Sequence, residues 1–239
     1  MCFSAEASFT VGAALIPAGA YCLWSAAVKK PSHLGLAAVP LIFGLQQISE
    51  GFVWLGLHRL DAELTRSASL AFLFFALAFW PFWFPTLTTL MEPVPRRRLA
   101  FGLFSVLASG WFWVLYFPLL VGPAELLRTT IEHHSIAYQY PDLAIYEWVP
   151  RNVLRVLYFL SVALPLLLSS ETWGKVPGLV LGVSAVIAAV AYHHAFVSVW
   201  CFFAAVLAGY LCVVFYRMPQ ASATAALFSV GGEPQKTHG

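Results

Sequence analysis

The sequence predicts an all-α, polytopic membrane protein, a bundle of about seven transmembrane helices. Two observations carry this prediction. Apolar residues make up 60% of the chain and charged residues only 10%, whereas a soluble domain is about one-quarter charged because polar groups must cover its surface. The apolar residues also fall in blocks of roughly 20, the length at which a helix crosses a bilayer.

Charged residues, Pro and Gly divide these blocks into seven predicted spans. They are residues 8–28, 34–57, 67–91, 99–121, 152–170, 176–192 and 195–216. The first is expected to be a permanent span, since no basic segment precedes it as in a signal peptide. Residues 176–216 form one apolar run, which as a single helix would be roughly 60 Å long, twice the hydrocarbon thickness. We therefore predict a tight turn at its polar interruption, Tyr192-His193-His194.

Basic residues predict the orientation, because Lys and Arg are enriched on cytoplasmic loops. Seven spans place one group of them on a common side: Lys29, Lys30, Arg96, Arg97, Arg98, Lys175, Arg217 and Lys236. The others lie opposite, mostly among acidic residues: Arg59, Arg66, Arg128, Arg151 and Arg155. The N-terminus is therefore predicted outside and the C-terminus inside.

Residues 1–217 are predicted to form a single transmembrane helical domain, and residues 218–239, rich in Ala, Ser, Gly and Pro, a disordered cytoplasmic tail. The outer loop at about 122–151 is expected to form a short interfacial helix or a lid. The lipid bilayer is the expected partner. A net charge of +2 is too small to indicate binding to nucleic acid. No internal repeat is visible in the sequence, so an inverted-repeat transporter fold gains no support. The sequence does not predict the oligomeric state.

Three polar residues in the second span are the first candidates for a functional site. Glu50 follows Gln47 by three residues and Gln46 by four, so the three side chains occupy neighbouring parts of one helix face. A carboxylate at this depth is costly, and such residues usually face the bundle interior and carry function. The alternative is a protonated Glu50 that hydrogen-bonds Gln46 or a facing hydroxyl and holds helices together.

Histidines and cysteines on the predicted outer side form the second group of candidates. His133 and His134 lie in the outer loop, and His193 and His194 in the turn before the last span. His194, Ser198 and Cys201 share a face of that span. With Glu50 these residues offer the nitrogen, oxygen and sulfur ligands that zinc or copper takes. Alternatively, the histidines are polar caps at the water boundary, and no HExxH motif is present.

Two further residues precede the first span, and Glu6 is expected to join the polar pocket. Cys2 has three interpretations: a nucleophilic N-terminal residue after removal of Met1, a disulfide partner of Cys201, or an inert thiol. The remaining cysteines, Cys22 and Cys212, form no CxxC motif with any other.

The segments MCFSAEASF and PLIFGLQQISEGFVWLGL resemble a family of bacterial seven-helix membrane proteins of uncharacterised function. The resemblance implies a bacterial cytoplasmic membrane location and directs attention to Cys2, Glu6, Gln46, Gln47 and Glu50. A looser similarity links HHAFVSVW to seven-helix hydrolases that include alkaline ceramidases and adiponectin-type receptors, which hold zinc with histidines. The Ser and Asp partners expected on their early helices are missing here, so this likeness concerns fold class alone.

Together these residues predict a membrane-embedded site that opens outward, binds zinc, copper or iron, and hydrolyses a lipid or amide through metal-bound water. Glu50 would act as ligand or general base. The alternative class is a transporter, channel or sensor in which Glu50 titrates or coordinates a cation. Ligation of haem iron by two histidines is the third interpretation.

Overall fold

The computed structural model describes residues 4–170, 178–180, 182–184, 186–187 and 196–217. Side chains of the last range are described at Ala205 and from Ala208 onward. In chain order the described elements are helices α1 (Ala5–Lys29), α2 (Pro31–Arg59), α3 (Ala62–Met91) and α4 (Pro95–Val121), strands β1 (Arg128–Glu132) and β2 (Ser135–Gln139), the helical turn Ile145–Trp148, and helices α5 (Arg151–Leu168) and α6 (Phe196–Arg217).

Helices α1 to α5 are long and apolar enough to cross a membrane. Their positions match the first five predicted spans, and α6 occupies the position of the seventh. The sixth predicted span, 176–192, lies mostly outside the described residues, and those of it that are described are helical. The predicted tail, 218–239, also lies outside them.

Local sequence signals fix where the first helices begin and end. Ser4 caps α1, its hydroxyl accepting a hydrogen bond from the Ala7 N–H at 3.2 Å. Helix α2 ends at Arg59, and Leu60, which follows it, has a φ of 55°. The Asp61 carboxylate caps α3 by accepting from the Leu64 N–H at 2.9 Å. Because only Leu60 and Asp61 separate the two helices, α2 and α3 are antiparallel neighbours.

Glycines let α1 and α2 pack with their backbones in close approach. A Cβ atom at Gly19 would lie 2.3 Å from the backbone nitrogen of Leu41, and one at Gly12 would lie 2.9 Å from the Gly44 carbonyl oxygen. Small residues at helix contacts are the usual means by which membrane helices approach closely. This contact fixes which face of α2 is turned toward α1.

The buried apolar residues form two clusters, one toward each end of the bundle. The first, at the end where Lys29 lies, contains Cys22, Phe43, Trp80, Phe84 and Phe215 among others. The second, at the end where the hairpin lies, contains Val53, Trp54, Phe72, Ile136 and Tyr138 among others. Along α2, the residues between Phe43 of the first cluster and Val53 of the second include Gln46, Gln47 and Glu50. A polar layer therefore separates two apolar ones.

Residues 122–151, predicted to form a short interfacial helix or a lid, contain an antiparallel hairpin. Strand β1 pairs with β2 so that Glu132 faces Ser135, and β-branched and aromatic residues such as Ile136 and Tyr138 favour this conformation. The Tyr138 ring stacks on Phe72 of α3 with centroids 4.9 Å apart. The hairpin is thus anchored to the bundle, and the helical structure of this segment consists of the short turns Ala124–Leu126 and Ile145–Trp148.

At the opposite end, the buried carboxylate of Glu92 joins the α3–α4 turn to the end of α5. It accepts hydrogen bonds from the backbone N–H groups of Val94, at 3.3 Å, and Ser170, at 3.0 Å. Burial alone raises the pKa of Glu92, but the hydrogen bonds from Ser170 and Val94 and the charge of Arg97 outweigh burial and hold the pKa below its ordinary value. This carboxylate therefore has a structural role.

Candidate functional site

The polar layer on α2 is the centre of the candidate site. Gln46, Gln47 and Glu50 each have no exposed surface, so the predicted face is buried in the bundle interior. Glu50 lies nine residues before the end of α2 at Arg59, which corresponds to about 13 Å along the helix axis. A carboxyl group and two amides thus lie far from either end of a helix that is long enough to cross a membrane.

A tryptophan from α3 fixes the orientation of one amide. The Trp80 indole N–H donates to Oε1 of Gln46 at 2.6 Å, and the Trp80 ring stacks on Phe43 with centroids 3.9 Å apart. Because Oε1 accepts this bond, the other end of the amide, Nε2 of Gln46, has no hydrogen-bond partner within the described part of the chain.

A wide π-helical turn precedes this tryptophan. It spans Phe74–Phe79 and ends directly before Trp80, and the Tyr158 hydroxyl of α5 donates to the Ala76 carbonyl oxygen within it. Such turns break the regular hydrogen-bond pattern of a helix and are frequent at functional sites. Here the turn sets the position from which Trp80 reaches Gln46.

Several buried polar atoms around Glu50 have no hydrogen-bond partner among the described residues. They are Nε2 of Gln46, both amide atoms of Gln47, Oγ of Ser8 and Nε1 of Trp54. Leaving such a group unpaired costs about 1–3 kcal/mol, so native proteins normally supply a partner. The group contains both donors and acceptors, a combination that suits water, a proton carrier or a hydrated ion.

Helix geometry brings these atoms to one region. Trp54 follows Glu50 by four residues and therefore shares its face of α2. Ser8 precedes Gly12 by four residues, so it lies on the face of α1 that contacts α2. The neighbouring Phe9 ring would lie 2.6 Å from a Cβ atom at Gly51, which places Ser8 beside the Glu50–Gly51 level of α2.

Two charged or titratable side chains lie where this region approaches the hairpin end. Glu6 is exposed on the first turn of α1, and His58 is exposed on the last turn of α2. The two are close enough to interact electrostatically. The His58 ring in turn lies 5.6 Å from that of Trp54, centroid to centroid. Glu6, predicted to join the polar pocket, is therefore exposed at the hairpin end of α1 and is not among the buried groups.

The structure places His133 and His134 at the exposed tip of the hairpin. Both have positive φ, 48° and 60°, as the two central residues of a type I′ turn require. Glu132 beside them accepts a hydrogen bond from Nε2 of Gln139 at 2.5 Å. In the described part of the chain, no three His, Cys, Asp or Glu side chains are arranged to hold a metal ion.

The remaining predicted site residues cannot be placed beside Glu50. Cys2, His193 and His194 lie outside the described residues, as do the side chains of Ser198 and Cys201. Metal ligation by these residues stays a prediction.

Sequence reasoning missed Ser8, Trp54 and Trp80 as members of the polar layer. The spacing of Trp54 from Glu50 was an available signal, because four residues return to the same helix face. No signal within one span identifies Trp80 or Ser8, since each reaches α2 from another helix.

The sequence matches the model of a family of unknown function, DUF6629, over residues 1–226. No curated protein matches it.

Proposed function

The chain belongs to the DUF6629 family, whose function is unknown, and we propose that it is a membrane transporter, channel or sensor in which Glu50 titrates or coordinates a cation. The observation that carries this proposal is the polar layer itself. Glu50 is fully buried next to Gln47, whose amide has no hydrogen-bond partner among the described residues.

The chemistry of the layer favours an exchangeable occupant. Oε1 of Gln47 and the Glu50 carboxylate are oxygen ligands of the kind that hard cations prefer. The free amide and indole N–H groups do not ligate cations, but they do hydrogen-bond water. A protonated or hydrated site, in which water links these N–H groups to Glu50, provides partners for both the oxygen ligands and the N–H donors.

The proposed topology is seven spans with the N-terminus outside, in a bacterial cytoplasmic membrane. Lys29, at the end of α1, and Arg96, Arg97 and Arg98, at the start of α4, lie at the same end of antiparallel helices. This concentration of positive charge supports that end as the cytoplasmic one. The polar layer then lies nearer the outer side, with Glu6 and His58 beyond it.

The first test is infrared titration of the protein in lipid, which detects protonation of a buried carboxyl through its C=O stretching band. We expect a band that changes with pH or with added cation and that is absent in Glu50→Gln. Glu92→Gln is the matched control, because Glu92 is equally buried and its carboxylate is held at the opposite end of the bundle by the backbone N–H groups of Val94 and Ser170. A spectrum unchanged by Glu50→Gln would refute the proposal.

Ion flux then separates transport from sensing. Proteoliposomes with an internal pH or sodium indicator, given an imposed membrane potential, should show flux that Glu50→Gln abolishes and Glu6→Gln retains. A Glu50 band without flux would indicate a sensor.

Metal-dependent hydrolysis remains the competing prediction. Elemental analysis of the purified protein beside His193→Ala/His194→Ala distinguishes it. About one equivalent of zinc, copper or iron that is lost in the variant would favour the hydrolase over our proposal.

A further inference from the structure

A pair of thiols at the other end of the bundle is independent of the Glu50 layer. Cys22 of α1 is fully buried and Cys212 of α6 is partly buried, and both are free thiols. Cys212 packs against the buried cluster that contains Cys22, and the two thiols are close enough to interact. The Cys212 thiol also donates to the Ala208 carbonyl oxygen of its own helix at 3.7 Å. They come from positions 190 residues apart in the sequence, so the tertiary fold alone brings them together.

The surrounding contacts hold the two helices in this register. The Phe215 carbonyl oxygen of α6 accepts hydrogen bonds from two groups of α1, the Ser25 hydroxyl at 3.1 Å and the Lys29 ammonium at 3.4 Å. Ser25 follows Cys22 by three residues and Phe215 follows Cys212 by three, so these bonds lie about one helical turn from the thiols. The thiols therefore occupy a braced position.

We propose that Cys22 and Cys212 form a two-sulfur binding site for a soft monovalent metal ion, Cu(I) in the cell. Thiolate ligands select soft ions such as Cu(I), and hard cations prefer oxygen. The nearby Ser25 hydroxyl already donates to the Phe215 carbonyl, and apolar residues such as Leu15, Phe84 and Leu211 belong to the same cluster as Cys22. The surroundings of the two thiols are therefore mainly apolar, which suits a soft ion better than a hard one.

Binding balances as one metal ion and two thiols giving a metal bis-thiolate and two protons. The product carries one negative charge, which is costly in an apolar environment unless a cation is near. The Lys29 ammonium is that cation, since it contacts the carbonyl of Phe215, three residues or about 4.5 Å along α6 from Cys212.

The alternative is a packing role only, in which Cys22 and Cys212 fill space in the core, since free cysteine behaves as a small hydrophobic residue. The two interpretations differ in metal affinity. A packing role predicts no uptake, and a braced dithiol predicts one ion for each pair.

The experiment uses the full chain, reduced and purified in detergent, with Ag(I) as the probe because it resists oxidation. Cys2→Ser/Cys201→Ser leaves Cys22 and Cys212 as the cysteines of the chain. After competition with a thioether chelator, we expect this variant to retain about one Ag(I), with two sulfur neighbours by X-ray absorption. Retention of no silver, or silver without sulfur neighbours, would overturn the proposal.

The matched variant is Cys22→Ser/Cys212→Ser, which keeps side-chain size and leaves Cys2 and Cys201 in place. It should lose the retained ion while eluting as the same monodisperse species. Equal silver retention in both double variants would show that the cysteines bind it nonspecifically and would also overturn the proposal. A thiol count two short in unreduced protein, restored by reductant, would identify a disulfide instead.

Discussion

The indole N–H of Trp80 donates to Oε1 of Gln46 across 2.6 Å of a buried helix interface. This bond joins α3 to the polar face of α2 and determines which end of the Gln46 amide remains available. Mutation can therefore separate the bonded pair Gln46–Trp80 from Gln47, whose amide atoms have no partner among the described residues.

Trp80→Phe should destabilise the protein by about 1–3 kcal/mol, because it leaves Oε1 of Gln46 buried without its donor. Trp83→Phe is the matched control, since the Trp83 N–H is buried without a partner among the described residues. Its cost should be smaller. Unfolding in mixed detergent micelles measures both. Equal losses would mean that ring packing, and not the hydrogen bond, stabilises this contact.

Gln47→Leu should stabilise the protein by about 1 kcal/mol or more, because it replaces an amide lacking partners among the described residues with an apolar side chain of similar size. Gln46→Leu should do the opposite, since it removes the acceptor of the Trp80 N–H. Thermal unfolding in detergent compares them. A Gln47→Leu variant that is less stable than wild type would indicate that Gln47 is bonded to a tightly held occupant.

Gly19→Ala should destabilise the α1–α2 contact by about 1–3 kcal/mol, the usual range for overpacking. Its Cβ would lie 2.3 Å from the backbone nitrogen of Leu41, an atom that cannot move without shifting α2. At Gly110 a Cβ would meet nothing within 4 Å, so Gly110→Ala should be neutral or stabilising. The free energy of unfolding of both variants tests the contrast, and a neutral Gly19→Ala would contradict the close approach.

The Glu92 carboxylate should make stability depend on pH under acidic conditions. Its pKa is lower in the folded protein than its ordinary value of 4.5, so its contribution is fully present above about 4.5. The contribution is lost as the pH falls through the depressed folded pKa. We expect Glu92→Gln to lower stability at neutral pH and to flatten this acid-side slope, measured by melting temperature at several pH values. An unchanged slope would assign the dependence to other carboxylates.

Because His133 and His134 have positive φ, we expect residues that favour positive φ at these positions to stabilise the hairpin. Replacing the pair by Asn-Gly (His133→Asn/His134→Gly) should stabilise the hairpin by about 0.5–1 kcal/mol, because Asn and Gly adopt this conformation readily. His133→Val/His134→Val should weaken it, since β-branched residues resist positive φ. Limited proteolysis of the hairpin reports both effects. No difference between the two variants would mean that the turn changes type.

The helical spans were largely predictable because span length and composition are properties of one segment. A run such as 99–121 had to be helical in a bilayer, where backbone groups find no other partners. The burial of Gln46, Gln47 and Glu50 followed from the same physics, as a polar face within an apolar helix is turned inward.

Relations between segments were not predictable in this way. The hairpin was missed because its strands are only five residues each, too short for alternation to stand out beside two adjacent histidines. The π-helical turn at Phe74–Phe79 carries no residue pattern of its own. The positions of Trp80 and Ser8 beside the polar face of α2 depend on which helices are neighbours, and the orientation rule for basic residues does not predict which helices pack together.

The hydrogen bond from Ser25 to the Phe215 carbonyl spans 190 sequence positions, which has a consequence for biosynthesis. Helices α1 and α2 are translated before α6 and can associate through their glycines while the ribosome is still translating. Helix α6, which contacts both of them, follows more than 130 residues later in the chain. The nascent protein therefore passes through a stage in which α1 and α2 are inserted but the surface that contacts α6 is not yet covered.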